Sequence, residues 1–209
     1  MPESAVEISP LALSILTLLH ERPMHPYEMA STMRDRHHDM FIRLNFGTLY
    51  HTVDVLERDG WIVPTERERE GRRPERTIYT LTESGREVLL RWLSQLLAQP
   101  MREYPHFTAG LMFMHHLGAD QAAGNLQERT ASLDASIAKL ERILTELRAR
   151  GLTRLSLIEV EHKIAMLEAE RNWVRKLEKE ITTGKLEWVV GIDSGDEKLM
   201  RRRHGASAN

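Results

Sequence analysis

The sequence predicts a mainly α chain in two parts: three short helices, a two-stranded hairpin and a fourth helix, followed by two long helices. Three observations predict it. Up to Gln99-Pro100 the apolar residues recur at helical spacing in short runs punctuated by Pro and Gly. Just after Gly60 the pattern changes to β-branched and aromatic clusters. Beyond Pro100, apolar residues step by four and three over long stretches. The expected division is residues 1–99, residues 100–192, and a disordered tail at 193–209 containing Gly195, Gly205 and the run Arg201-Arg202-Arg203.

Ser9-Pro10 reads as an N-cap followed by proline at the first helical position, opening a helix to about His20 with Leu11, Ile15, Leu18 and Leu19 on its apolar face. Pro23 stops it. His25-Pro26 repeats the device and starts a second helix to about Arg36, with Tyr27, Met29, Ala30 and Met33 available for burial. A third helix starts at Asn45, a good capping type, and runs to Asp59 with Leu49, Val53 and Leu56 on one face. Gly60 stands where a left-handed C-terminal cap is expected. Trp61-Ile62-Val63 and Thr77 to Leu81 read as strands around a charged tip. Thr82 then caps a fourth helix, Glu83 to about Leu97, whose apolar set is Val88, Leu89, Trp92, Leu93 and Leu96. Three helices, a hairpin and a helix in this order make an N-terminal winged helix-turn-helix with a two-stranded wing.

Composition removes several functional classes. The 209 residues are 41% hydrophobic and 29% charged, and cysteine is absent, which excludes disulfides, thiolate metal sites and cysteine nucleophiles. A cytoplasmic location is the expectation, since the first ten residues carry Glu3 and Glu7 without Lys or Arg and do not resemble a secretion signal. No apolar run is long enough to span a bilayer. There is no Gly-x-Ser-x-Gly elbow, phosphate-binding loop or dinucleotide fingerprint, so an enzyme is not expected. No cofactor or metal is expected either. His115 and His116 are adjacent and should point to different helix faces, while His37-His38 and Glu161-His162 lack ligand spacing.

The net charge of −2 does not by itself suggest nucleic acid, and residues 1–99 hold twelve Arg and no Lys against fifteen acidic residues. The case for double-stranded DNA rests on placement. With Leu49, Val53 and Leu56 facing inward, the third helix turns Thr48, Tyr50 and His51 elsewhere, at lengths suited to phosphates or base edges. Gly47, beside Asn45, lets a phosphate approach the backbone where helix-start amides attract anions. The hairpin adds Arg67, Arg69, Arg72, Arg73 and Arg76 within ten residues, although such an Arg/Glu run also suits a solvated face, and Tyr50 also suits a half-buried core position.

These residues resemble a known family. Arg22-Pro-Met-His-Pro-Tyr-Glu-Met29, Phe46-Gly-Thr-Leu-Tyr-His51, Leu56-Glu-Arg-Asp-Gly-Trp-Ile62, Gly71-Arg-Arg-Pro-Glu-Arg76 and Tyr79-Thr-Leu-Thr-Glu-Ser-Gly85 are similar to the PadR family of bacterial transcriptional regulators, over about residues 8–98. The resemblance implies a winged-helix homodimer, usually a repressor, with the third helix in the major groove and the arginine hairpin as its wing. It implies that Gly47, Thr48, Tyr50 and His51 lie at the DNA, with Arg72, Arg73 and Arg76 on the wing. Pro26 replaces the family's usual glycine. Phe46 stands where proline is common, and the sequence assigns it equally to core or to DNA.

In the second part, Leu133, Ile137, Leu140, Leu144 and Leu147 form one stripe. Val160, Ile164, Leu167, Val174 and Ile181 form another, interrupted at Arg171 and widened by Trp173 and Leu177. Gly151 separates them, and Ser156 with Glu159 fits a capping box. The expectation is a C-terminal antiparallel helical dimerisation domain, because a hairpin has little interior of its own and a second copy is the natural partner. A two-fold dimer would also place two recognition helices about 34 Å apart, one DNA turn, on a palindromic operator. Between Pro100 and Gly118, the Met-rich segment Leu111 to His116 reads as plain core, or as the wall of a pocket for a small aromatic effector. Trp188 to Ile192 reads as a short strand or a helix extension. The competing function is a protein-interaction module acting through the C-terminal helices.

Overall fold

The structure, a computed structural model, describes residues 9–68 and 76–189. It falls into two compact units, Met1–Arg102 and Glu103–Asn209. Among the described residues no helix is long and apolar enough to cross a membrane.

The first unit is a winged helix-turn-helix. Helix α1 (Pro10–Glu21) is its central post, with Leu11, Ala12, Ser14, Ile15, Leu16, Leu18 and Leu19 all buried. Ser9 stands at the N-cap, but only its carbonyl takes part, accepting the Leu13 amide; the hydroxyl makes no capping bond. Helix α2 (Pro26–Asp35) does have a side-chain cap, because His25 Nδ1 accepts the Glu28 amide at 3.0 Å. Met29, Ala30 and Met33 of α2 are buried; Tyr27, expected with them, is 59% exposed. Helix α3 (Phe46–Arg58) follows, ending at Asp59 and at Gly60, whose φ of 73° continues the chain in the left-handed region.

Strand β1 (Ile62–Glu68) pairs antiparallel with β2 (Arg76–Leu81), from Ile62 opposite Leu81 to Glu68 opposite Arg76, with a bulge between Pro64 and Glu66. Both strands run further toward the tip than their apolar residues indicated, because the ladder continues through charged positions. Met24, from the loop between α1 and α2, exchanges both backbone bonds with Tyr79 on the free edge of β2, at 3.0 and 3.1 Å. Helix α4 (Glu83–Ala98) is capped by Thr82, whose Oγ1 accepts the Gly85 amide at 3.0 Å. Val88, Leu89 and Trp92 enter the core, where Trp92 meets Trp61 edge-on at 5.2 Å. Leu96 is half-buried and Leu93 is exposed, contrary to the expected five-residue face; the core under α4 is narrow and is filled by the first turns.

The second unit is a helical hairpin. Helix α6 (Ala119–Ala149) and helix α7 (Ile158–Thr182) lie against one another along their length; the short helix α5 (His106–Phe113) precedes them. The buried stripe of α6 begins earlier than its leucines suggested, at Leu126 and Thr130, where the threonine hydroxyl is satisfied by donating to the Leu126 carbonyl. Across the helices, Arg129 pairs with Glu170, Asp134 with Arg171 and Arg175, and Arg148 with Glu161. Hydrogen bonds from Arg154 and Arg148 hold the Glu161 carboxyl below the usual glutamate range.

Three expectations for this unit are corrected. The Ser156–Glu159 capping box does not form: a 3-10 turn at Arg154–Leu157 leads into α7 with Leu157 at the cap, because burying the Leu157 side chain fixes the entry. The His115 and His116 rings, expected to diverge, lie 4.3 Å apart, since they sit on a 3-10 turn and not on an α-helix. No residue of α5 is buried, and Met112 and Phe113 are more than half exposed, so the Met-rich segment is not core within this unit. Trp188 docks as irregular chain, donating from Nε1 to the Leu117 carbonyl at 3.0 Å. The expected tail at 193–209 lies outside the described residues.

Candidate nucleic-acid interface

The site is built around the first turn of α3. Asn45 Oδ1 accepts the Thr48 amide at 2.7 Å, which fixes the helix start and leaves the amides of Phe46 and Gly47 without an intrahelical acceptor. Leu49, Val53 and Leu56 are 0–1% exposed, so the helix has one rotational setting on the core. That setting turns Thr48, Tyr50 and His51 outward; Tyr50 is 48% exposed and is not a core tyrosine. At Gly47, a side chain would have only Asn45 Oδ1 within 4 Å, at 3.7 Å, so the outer face of this turn is open. Toward the C-terminal end of the helix, the Tyr79 hydroxyl donates to Glu57 Oε2 at 3.1 Å and ties α3 to the base of the wing.

Of the wing arginines, Arg67 and Arg76 lie on β1 and β2, with Arg67 opposite Thr77 and Arg76 opposite Glu68. Arg69, Arg72 and Arg73 lie outside the described residues.

The structure adds Arg34 and Arg43 to the surface at the α3 start, and settles Tyr27 and Phe46 there. Tyr27 and Phe46 stack with ring centroids 6.1 Å apart and planes 12° apart, and the Arg34 guanidinium lies 4.8 Å from the Phe46 centroid. Phe46, 42% exposed, therefore belongs to the surface at the α3 start and not to the core. Arg43 is exposed two residues before Asn45. For Arg34 and Arg43 the signal that could have found them is the group of arginines at 34, 36 and 43 just ahead of the third helix.

In the second unit, Leu133, Ile137, Leu140, Leu144, Val160, Val174 and Ile181 are buried, while Leu147, Ile164, Leu167 and Leu177 are half-buried. The seam that the sequence reading reserved for a second copy is thus filled by α6 and α7 of one chain. Trp173 alone of that set is exposed, at 49%, and it faces a groove of about 550 Å³ with Phe107, Leu111, Arg129 and Glu170. There Phe107 meets Trp173 edge-on at 6.3 Å, and the Arg129 guanidinium, held by Glu170, covers the Phe107 ring at 3.6 Å.

A family model described as the transcriptional regulator PadR-like family matches residues 15–91. A probable transcriptional regulator of Mycobacterium tuberculosis is 32% identical over 85 residues, which is 41% of this chain. The match spans 44% of that relative's length. In structure, the chain is similar to Bacillus subtilis PadR in complex with operator DNA, with a TM-score of 0.68 at 20% identity, over 82% of this chain and 98% of that one. The same Bacillus protein in complex with p-coumaric acid gives a TM-score of 0.68 at 18% identity over 82% and 98% of the two chains. The virulence activator AphA of Vibrio cholerae gives 0.63 at 18% identity over 83% and 98%. At these identities the structural likeness speaks for the fold alone. Over residues 15–91, less than half of its length, the chain is similar to the PadR-like family of transcriptional regulators.

Proposed function

We propose that this regulator binds double-stranded DNA as a homodimer, acts as a repressor on a palindromic operator in the cytoplasm, and is released by a small aromatic effector. The observation that carries the reading is the single rotational setting of α3: three buried aliphatic residues hold Thr48, Tyr50 and His51 outward beside an open, capped helix start. A helix so presented suits the major groove, with its N-terminal residues at base edges. Arg67, Arg69, Arg72, Arg73 and Arg76 would follow the adjacent backbone or minor groove.

The division of labour we infer gives DNA to the first unit and self-association to the second. Because the α6–α7 seam is already filled, a second copy would use what remains exposed: Leu152, Leu155 and Ile158 at the hairpin turn, Met166 on α7, and Met112 and Phe113 on α5. Apolar surface on this scale, left wet in a lone chain, favours a partner. The aromatic effector is supported by the p-coumaric acid complex of the Bacillus relative and by the Phe107–Trp173 groove.

The test is selection of duplexes from a random pool by the purified chain, followed by binding at two salt concentrations. Each phosphate contact should lower the slope of log K against log salt by about 0.9, so affinity should fall steeply as salt rises. A monomer, or a chain that selects no sequence over random DNA, refutes the reading. The second reading, a protein-interaction module, is favoured by the exposed Leu90, Leu93 and Leu97 on one side of α4. It would show salt-insensitive association and no DNA binding.

A further inference from the structure

Four arginines lie between residues 20 and 45, and the structure treats them in two ways. Arg22 is held by Glu28 at 2.5 Å, and Arg36 forms a two-pronged pair with Glu21 at 2.6 and 2.7 Å. Arg34 and Arg43 have no carboxylate partner among the described residues. Arg34 lies over Phe46, the first residue of α3, and Arg43 precedes the α3 cap. Tyr27 stacks with Phe46, and His25 stands beside Tyr27 at 6.2 Å. Tyr27 and Arg34 are seven residues apart, two turns of α2, so both lie on the face of that helix toward Phe46. An exposed aromatic pair is costly in water, and the unneutralised Arg34 guanidinium over it, with exposed Arg43 three residues before Phe46 in the chain, gives this surface an apolar part and a cationic part.

A nucleic-acid strand has the complementary pattern: apolar deoxyribose faces linked by anionic phosphates. Arginine and tyrosine hydroxyl groups are among the usual partners of phosphate oxygens, and contacts of this kind set how a protein sits on the duplex. We propose that Tyr27, Arg34, Phe46 and Arg43 form a second contact, for the sugar–phosphate backbone flanking the groove that α3 enters, with Phe46 the positioning residue that sets the pitch of α3. A sugar face rests on the exposed edge of the Tyr27–Phe46 pair, while Arg34, Arg43 and the Tyr27 hydroxyl hold the phosphates on either side. The proposal rests on the DNA-binding reading above and goes beyond it by assigning residues outside α3 and the wing.

The experiment uses the full chain and the duplex it selects from a random 30-base-pair pool. Affinity is read by fluorescence anisotropy at four salt concentrations, with a thermal melt of each variant. Arg34→Ala and Arg43→Ala should each make the salt slope shallower by about 0.9. Phe46→Ala should weaken binding about tenfold with an unchanged salt slope, and should loosen the sequence preference at the outer edge of the site. Phe46→Tyr, which keeps the stack, should restore binding to within about threefold of the parent. Melting midpoints should stay close to the parent's, because all of these side chains are exposed; a loss of affinity that tracks a lower midpoint in every variant overturns the proposal in favour of a folding role. Parent-like affinity and salt slope in all four variants overturn it too, while leaving the DNA-binding reading intact. If the parent chain itself selects no duplex, both fall.

Discussion

Replacing Gly85 with alanine sets two effects of known size against each other. On propensity alone the change should help, since alanine in a helix is favoured over glycine by about 1 kcal/mol. The structure forbids it. A Cβ at Gly85 would stand 2.1 Å from the Trp61 carbonyl oxygen and 2.9 Å from the Trp61 carbonyl carbon, which are backbone atoms and cannot swing away. The start of α4 would have to retreat by about 1 Å, comparable to the backbone shifts that overpacking forces at a cost of about 1–3 kcal/mol. Four hydrogen bonds cross that junction: the Thr82 amide and hydroxyl to the Trp61 carbonyl, both at 3.0 Å, and the hydroxyls of Thr82 and Ser84 to the Gly60 carbonyl at 2.8 and 3.1 Å. Each is worth about 0.5–1.5 kcal/mol. After the propensity gain is subtracted, Gly85→Ala should destabilise the first unit by about 2–4 kcal/mol. For a unit of this size that lowers the melting midpoint by roughly 10 °C or more. The assay is a thermal melt followed by near-ultraviolet circular dichroism, to which the Trp61–Trp92 edge contact contributes. A midpoint equal to or above the parent's would mean that the junction yields freely, and the reasoning would be wrong.

Four further outcomes are expected. Asn45→Ala removes the acceptor of the Thr48 amide and should cost about 1 kcal/mol in urea unfolding, while Asn45→Asp should cost little. Gly47→Ala meets only Asn45 Oδ1 at 3.7 Å, so its melting midpoint should hold or rise while DNA affinity falls; unchanged affinity would mean that no phosphate approaches there. Asp134→Ala strips Arg171 of its nearest carboxylate, leaving Glu168 at 3.7 Å and an Nε with no acceptor, and should cost about 1–2 kcal/mol in chemical unfolding. The hydrogen bond from Arg36 holds the Glu21 carboxyl below the usual glutamate range. The stability from that pair is therefore fully present above that range and is lost as the pH falls through the lowered value. Both side chains are more than two-fifths exposed, so the gap between the parent and Glu21→Gln should be under about 1 kcal/mol at neutral pH and should close in acid; a gap that widens in acid contradicts the assignment.

The sequence carried the parts of the fold that are decided locally. The Asn45 cap, the 49–53–56 spacing, the left-handed Gly60 and the Thr82 cap are each set by a few neighbouring residues. What it concealed depends on partners far along the chain. Tyr27 has helical spacing suited to burial, yet it stacks outside on Phe46, nineteen residues on. Arg34 and Arg36 look alike in sequence, and only the approach of Glu21 separates a neutralised arginine from an available one. Gly85 reads as a weak point in a helix until the Trp61 carbonyl is placed against it. The α6 and α7 stripes were visible, but a stripe does not say whether its own hairpin or a second copy will cover it. The arginines at 69, 72 and 73 lie outside the described residues, so their assignment rests on sequence alone.

Strand β2 is gripped from both sides. Its Tyr79 exchanges backbone bonds with Met24 at the α1–α2 corner, and the same residue reaches across to Glu57 with its phenol, while β1 holds the other edge. Corner, wing root and helix α3 are consequently welded into one stiff block, and a torque on any of them is felt by all three. Were the proposed effector to act on such a head, it would gain little by bending it. Its leverage would lie in moving the head bodily.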